Sequence, residues 1–303
     1  MSYRRILLLI SAVLVLGVVG IHVAGGYICK ASPVKMRPPP TDLLAQDVEF
    51  PSESGSVIHG WLTLYAVSPS VSTSSTETSA KPKGVVLLVA GIHGNRHNMV
   101  ERAEFLHRAG YDALLIDLQG TGESPGRAVT FGWLESRDIS AAVDFLHRER
   151  VGEPVAIIGQ SLGGAATLLA APPLRADAVV IESAFPTITD ATRNRLVQRL
   201  GFLGRVLTPF LLADLQPQLG ITPKDLRPID HIAAIHCPLL VISGAEDRYT
   251  TADETKRLFA QATAPSRQLW LVPGAGHVNM YHVRPAEYES RILSFLNTSL
   301  ASH

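Results

Sequence analysis

Cysteine is nearly absent: the 303 residues contain two, Cys29 and Cys237. That excludes a disulfide framework and a cysteine-rich metal cluster. Charge is sparse too, since Asp, Glu, Lys and Arg make up only 18% of the chain, and 27 basic residues balance 27 acidic ones. Nucleic-acid-binding domains carry a basic surplus, so no nucleic-acid partner is expected. Apolar residues reach 46%, too many for a disordered chain. No internal repeat is visible. The length fits two average domains, or one large α/β domain with additions.

The apolar excess is partly local. No residue from Ile6 to Ile28 is charged. As a helix this run would extend roughly 35 Å, enough for a hydrocarbon core of about 30 Å. A cleaved signal peptide has a shorter apolar core and a small-x-small site. Ala24-Gly25-Gly26 offers such a site, but the length of the run favours an uncleaved membrane anchor over residues 1–30. Arg4 and Arg5 favour an inside N-terminus and an extracytoplasmic body, a bias weakened by Lys30, Lys35 and Arg37 on the other flank. His22 is read as tolerated near the exit interface rather than as a functional intramembrane group.

Residues 31–45, with Pro33 and Pro38-Pro39-Pro40, read as a stiff extended linker. Residues 46–303 read as one domain. Its first strands are expected at Val48–Phe50 and Val57–Val67, followed by an exposed Ser/Thr-rich loop at 68–80. From Gly84 onward, short Val/Ile/Leu runs alternate with amphipathic stretches. The runs are Val85–Val89, Ala113–Asp117, Val155–Gly159, Ala178–Glu182, Leu239–Ser243 and Gln268–Val272. The helical stretches lie near 98–109, 133–149, 162–171, 252–262 and 285–297. Continuous apolar strands alternating with helices predict a mostly parallel sheet covered on both faces. Such sheets carry their sites at the carboxyl ends of their strands. Residues 185–235 interrupt the alternation and read as a helical cap inserted over that edge.

Gly159-Gln160-Ser161-Leu162-Gly163 lies between an apolar strand and an apolar helix. That is the context a G-x-S-x-G nucleophile elbow requires: strand, sharp turn, helix. The turn would lift the Ser161 hydroxyl above the sheet at a helix N-terminus, where partial positive charge favours anions. A phosphate-binding glycine turn is the competing reading, and the strand–turn–helix context speaks against it.

On these residues the chain from about residue 45 onward resembles the α/β-hydrolase fold superfamily. It looks most like membrane- or envelope-associated bacterial members with a short helical cap, related to serine peptidases and dienelactone-hydrolase-like esterases. In that family the triad runs nucleophile, acid, base. Gly244-Ala245-Glu246-Asp247 resembles its acid turn and maps Asp247 onto the acid, with Glu182 at the end of the preceding strand as the competitor. Gly274-Ala275-Gly276-His277 resembles the loop that carries the base, so His277 is implied as proton shuttle, with His282 a weaker candidate.

The resemblance also implies two backbone N–H donors facing an oxyanion. One is Leu162, the residue after the nucleophile. The other comes from the loop Ala90-Gly91-Ile92-His93-Gly94-Asn95. Two alignments compete: Ile92 if Ala90-Gly91 replaces the family's His-Gly pair, Asn95 if His93-Gly94 is that pair. Strand length favours Ile92. Asp117–Ser124 resembles a structural turn of the family. His93 and His97 lack a third ligand at metal spacing, so no metal is expected, and no cofactor is implied. Arg193, Arg195 and Arg199 form a basic helix face that is either solvated or meets an anionic substrate or headgroup.

The expected activity is a serine hydrolase cleaving carboxylic esters, including thioesters, through an acyl-enzyme. Its partners would be an apolar small-molecule acyl substrate and, through residues 6–28, a membrane. A peptidase, amidase or acyltransferase would use the same triad. A non-catalytic membrane-tethered module would tolerate erosion of a triad position, and none is eroded. The sequence leaves the oligomeric state open.

Overall fold

The computed structural model describes residues 3–41, 43–64, 81–170 and 174–301. The loop expected at 68–80 and the end of the run expected to reach Val67 lie outside the described residues. Eight strands form one sheet: β1 (Ala45–Pro51), β2 (Val57–Thr63), β3 (Val85–Val89), β4 (Asp112–Ile116), β5 (Val155–Gln160), β6 (Ala178–Glu182), β7 (Leu239–Gly244) and β8 (Arg267–Val272). Their spatial order is β1–β2–β4–β3–β5–β6–β7–β8. The pairs β1–β2 and β2–β4 are antiparallel, and every other pair is parallel.

The central strands are apolar throughout because both faces are covered. Val86 and Leu88 of β3 join one core with Ala103 and Leu106 from the helix Val100–Arg108 and Ile292 and Leu296 from the helix Pro285–Leu300. Val85, Leu87 and Val89 join the opposite core with Ile139, Val143 and Leu146 from the helix Glu135–Glu149. Alternate residues of one strand thus serve two cores, which is why no polar period marks it. The helix Ala252–Ala260 covers β7 on the second face, and its Thr251–Glu254 capping box fixes where it starts.

The cap expected at 185–235 is helical. After α1 (Tyr3–Ile28), α2 (Val100–Arg108), α3 (Glu135–Glu149) and α4 (Leu162–Leu169), its helices are α5 (Ile188–Leu200), α6 (Phe202–Ala213) and α7 (Leu215–Leu219). The N-terminal helix (Tyr3–Ile28) meets them at its far end. His22 Nδ1 lies 2.8 Å from Asp214 Oδ1, and Gln218 Nε2 donates to the His22 carbonyl at 2.8 Å. A Cβ on Gly25 would come within 2.3 Å of the Asp214 carboxylate, so glycine permits this approach. The span expected at Ile6–Ile28 includes side chains that lie outside the description. Among the described residues, no helix is long and apolar enough to cross a membrane.

Residues beyond this helix run along the body. Cys29 is buried with Phe131, Phe185 and Leu212. Ser32–Pro33 pairs in parallel with Thr121–Gly122, the Cys29 carbonyl accepts the Val129 N–H at 2.8 Å, and Leu43 is buried in the main core. The proline-rich stretch is therefore fastened to the domain at both ends. Both cysteines are free thiols.

Candidate active site

Ser161 sits between β5 and the helix Leu162–Leu169 with φ 50° and ψ −107°. An L-residue adopts such a backbone only where the surroundings enforce it. Here the Ser161 N–H donates to the Glu182 carbonyl of β6 at 2.7 Å. The neighbouring glycines leave no alternative. A Cβ on Gly163 would stand 2.7 Å from the carbonyl oxygens of Val89 and Ala90, and one on Gly159 would stand 2.8 Å from the Gly163 carbonyl. The chain folds this tightly only without side chains at these positions.

His277 arrives on the loop after β8. Its Nε2 lies 3.1 Å from Ser161 Oγ, and its Nδ1 lies 2.7 Å from Asp247 Oδ2. Asp247 follows β7. Its other oxygen accepts the N–H groups of Tyr249 at 2.8 Å and Thr250 at 2.9 Å. Two backbone donors thus fix the carboxylate, which fixes the imidazole, which faces the hydroxyl. Three residues spread over 117 positions converge because each stands just beyond the carboxyl end of a strand, and β6 separates β5 from β7. Glu246, one residue from Asp247, is exposed.

The competitors stand elsewhere. The Glu182 side chain is 0% exposed and engaged below the site: Arg102 Nη2 reaches its Oε2 at 2.7 Å, and the Tyr288 hydroxyl donates to its Oε1. Burial alone would push the Arg102 guanidinium down, but Glu182 and Tyr288 outweigh it and hold it above its ordinary value. His282 is exposed beside Glu101.

The oxyanion loop follows β3. The Asn95 N–H donates to Asn98 Oδ1 at 2.9 Å within the local capping box, which leaves it unavailable to a substrate. Ile92 lines the same cavity as Ser161 and Leu162, and a Cβ on Gly91 would lie 3.3 Å from Ser161 Cβ. Of the two alternatives, Ile92 stands at the cavity that Ser161 faces, and the Asn95 N–H is already engaged. Leu162 opens its helix, so its N–H has no intrahelical acceptor.

A buried network that no local sequence pattern signals holds this loop. Arg96 donates to Asp117 through its backbone N–H at 2.7 Å and through Nη1 at 2.7 Å; it also pairs with Glu123 and lies over the Trp61 ring. Asp117, from the turn read as structural, accepts the Glu123 N–H at 3.0 Å as well. The signal was an Arg and an Asp just past the ends of adjacent strands, legible only once β3 and β4 are known to be neighbours. Arg96 and Asp117 thus brace the loop that carries Ile92. His93 lines the cavity, whereas His97 packs on Trp61 and reaches the Arg37 carbonyl, so the two have different partners. Among the described residues, no group of three His, Cys, Asp or Glu is placed to hold a metal ion.

Residues 86–291 match the model of the alpha/beta hydrolase family. The chain belongs to the alpha/beta hydrolase family. Relatives include an uncharacterized protein of Mycobacterium tuberculosis, Rv2307c, 30% identical over 234 residues, which are 77% of this chain and 72% of that protein. Another is the alpha/beta hydrolase domain-containing protein WAV2 of Arabidopsis thaliana, 24% identical over 86% of this chain and 81% of that one. Among solved structures, the esterase Pf2001 of Pyrococcus furiosus superposes with a TM-score of 0.70 at 23% identity, over 89% of this chain and 98% of that one. Est1E of Butyrivibrio proteoclasticus, solved with ferulic acid, gives a TM-score of 0.61 at 17% identity, over 84% of this chain and 99% of that one. These last two likenesses concern the fold.

In this alpha/beta hydrolase the cap encloses a cavity of about 620 Å³ above Ser161. Its walls include Phe131, Phe185, Ile188, Leu212 and Leu215, together with Ile28 and Cys29 from the end of the N-terminal helix. The segment expected to be only an anchor and linker is therefore part of the cavity wall. The basic helix face divides. Arg193 pairs with Asp190 at 2.7 Å and Glu254 at 3.4 Å, tying the cap to the body, whereas Arg195 and Arg199 line the cavity.

Proposed function

We propose that this hydrolase cleaves carboxylic esters, and thioesters by the same chemistry, through an acyl-enzyme on Ser161. The continuous hydrogen-bonded chain from Ser161 through His277 to Asp247, with Ser161 opening into a largely apolar cavity, carries this reading. Ser161 Oγ attacks the carbonyl carbon as His277 Nε2 takes its proton. Asp247 holds the proton on Nδ1 and stabilises the imidazolium. The N–H groups of Leu162 and Ile92 face the oxygen that becomes negative. Collapse expels the alcohol, which receives the proton from His277. Water then attacks the acyl-enzyme by the same steps, and Ser161 is released with the carboxylic acid.

The test has two parts. A fluorophosphonate probe is expected to label Ser161 covalently, and p-nitrophenyl esters are expected to be turned over far faster than aminoacyl-anilides with the same acyl group. A folded sample that the probe does not label would sink the reading. Preferential anilide cleavage would replace esterase with amidase.

We further propose that Ile6–Ile28 anchors the chain in a membrane, with the catalytic domain outside the cytoplasm. The uncharged run and Arg4 and Arg5 support this orientation. The membrane contact, though not its side, is supported by α6, which packs on the N-terminal helix yet presents Phe202 (76% exposed), Leu203, Val206, Leu207 and Phe210 (56% exposed) along one side. Such a face suits the boundary of a bilayer. Alkaline carbonate is expected to leave the chain in the membrane pellet. A reporter enzyme active only outside the cytoplasm, fused after residue 303, is expected to be active. Release into the supernatant would refute the anchor, and a silent reporter would refute the orientation.

A further inference from the structure

The cavity above Ser161 is apolar in its depth but not in its charge. Three cationic residues line it, Lys30, Arg195 and Arg199, against one carboxylate, Asp214. That carboxylate is engaged, with His22 at 2.8 Å and Gln218 at 3.2 Å. Among the described residues, none of the three cations has a carboxylate oxygen within 4.0 Å, whereas Arg193 on the same helix has two such partners. The contrast is local. Positions 193 and 195 lie on different sides of α5, one toward the body's acids and one toward the cavity.

Arg195 is the best placed of the three. It is half-buried, its guanidinium stacks 5.4 Å from the Tyr249 ring, and that ring lies 5.5 Å from the His277 ring. Among the described residues its side chain makes one long hydrogen bond, from Nη1 to the Ala191 carbonyl at 3.3 Å. Burial pushes its guanidinium below its ordinary value, and the nearby Asp247 and Tyr249 only partly oppose this. A desolvated guanidinium without an ionic partner is costly and presents unused donors in the planar fork that fits a carboxylate or phosphate. Tyr249 holds it one ring away from the proton shuttle, so an anion bound there would lie within the reach of a substrate whose ester is at Ser161.

We propose that the substrate of this hydrolase is an anionic ester, with its apolar chain in the cap cavity and a carboxylate or phosphate on Arg195, assisted from the rim by Arg199 and Lys30. This rests on the esterase reading and adds the charge of the substrate to it. Arg195 acts as a specificity-determining residue. It binds the remote anion and thereby places the ester carbonyl between Ser161 and the two N–H donors, so its effect falls on KM and on substrate preference rather than on the chemistry of the triad.

Two matched pairs of esters test this in the full chain: mono-p-nitrophenyl adipate against p-nitrophenyl heptanoate, and lysophosphatidic acid against monoacylglycerol. The first pair isolates a carboxylate. The second isolates a lipid phosphate, so the pair with the larger effect tells which source of anion the site takes. The wild-type enzyme is expected to prefer the anionic member of at least one pair. Arg195→Gln is expected to lower that preference, measured as the ratio of kcat/KM values, by about 10- to 100-fold, mainly through KM. Arg195→Lys is expected to retain part of it, and Arg199→Gln to lower it less. Equal losses on both members of each pair would overturn the inference, because a prop under Tyr249 would act without regard to substrate charge. Wild-type indifference to charge would overturn it too. Absence of turnover on all four substrates would instead overturn the esterase reading on which it rests.

Discussion

Ser161→Ala is expected to lower kcat on a p-nitrophenyl ester by a factor on the order of 10⁴ to 10⁶, with the fold intact by circular dichroism. The hydroxyl makes one side-chain contact of consequence, with His277 at 3.1 Å, so its removal deletes the nucleophile without unsettling the elbow. Asp247→Asn is expected to cost about 10⁴-fold by another route. An amide can donate to Nδ1 and so favour the tautomer that places the proton on Nε2, where it cannot accept from serine. The Tyr249 and Thr250 N–H groups would still be accepted by the amide oxygen, which makes a loss of folding a poor explanation for a dead variant. Glu182→Gln provides the contrast. If Glu182 were the acid, it would match Asp247→Asn in kcat; placed below the sheet edge with Arg102, it is expected to lose stability instead. Full esterase activity in Ser161→Ala would refute the mechanism outright, and comparable kcat losses in Asp247→Asn and Glu182→Gln would refute the assignment of the acid.

The second large effect is on stability. Arg102→Met is expected to destabilise the domain by about 3–5 kcal/mol, because it leaves the Glu182 carboxylate buried without its cation. For a domain of this size that corresponds to a fall of about 6–20 °C in Tm. The Tyr288 hydroxyl, which also contacts Glu182, donates one hydrogen bond but brings no charge. Adding Glu182→Leu to Arg102→Met is expected to recover most of the loss, since a buried pair replaced by apolar side chains is often neutral or better. Calorimetry on the two single variants and the double variant measures the coupling. Additive losses would mean that the two side chains contribute independently. The site feels this pair through the Glu182 carbonyl, which accepts the Ser161 N–H, and through Gln160, whose Nε2 lies 3.4 Å from Glu182 Oε2, so residual activity in folded Arg102→Met reports how firmly the pair holds the elbow.

Much of this was legible in the sequence. Val85–Val89 and Ala178–Glu182 form strands with the expected boundaries, since a run of four or five consecutive apolar residues fits a doubly covered sheet and little else. Ser161, Asp247 and His277 were legible for a related reason. Each follows a strand and sits in a glycine-marked turn whose close approach leaves a fixed imprint on neighbouring residues, as Gly159 and Gly163 show. Leu162 and Ile92 were implied by the family resemblance, and both stand at the cavity above Ser161. Boundaries moved by a residue or two, as for β4, which begins at Asp112 rather than Ala113.

What depended on partners distant in sequence was not legible. No local pattern says that Arg96 meets Asp117, or that Arg102, Glu182 and Tyr288 share one buried site, because a charged residue reads alike whether it is solvated or paired. The three arginines of α5 looked equivalent in sequence. Only packing against the body separates Arg193, which is paired there, from Arg195, which faces the cavity. Likewise the chain around Cys29 read as an exit from an anchor followed by a spacer, and it became part of the cavity wall through its contacts with the cap. The sequence by itself determined the sheet, the elbow and which three side chains are proposed to react, because these are written in local period and in turns. The tertiary structure decided which charges are matched, which are left facing the substrate, and what closes the cavity, because those depend on residues that become neighbours only when the chain has folded.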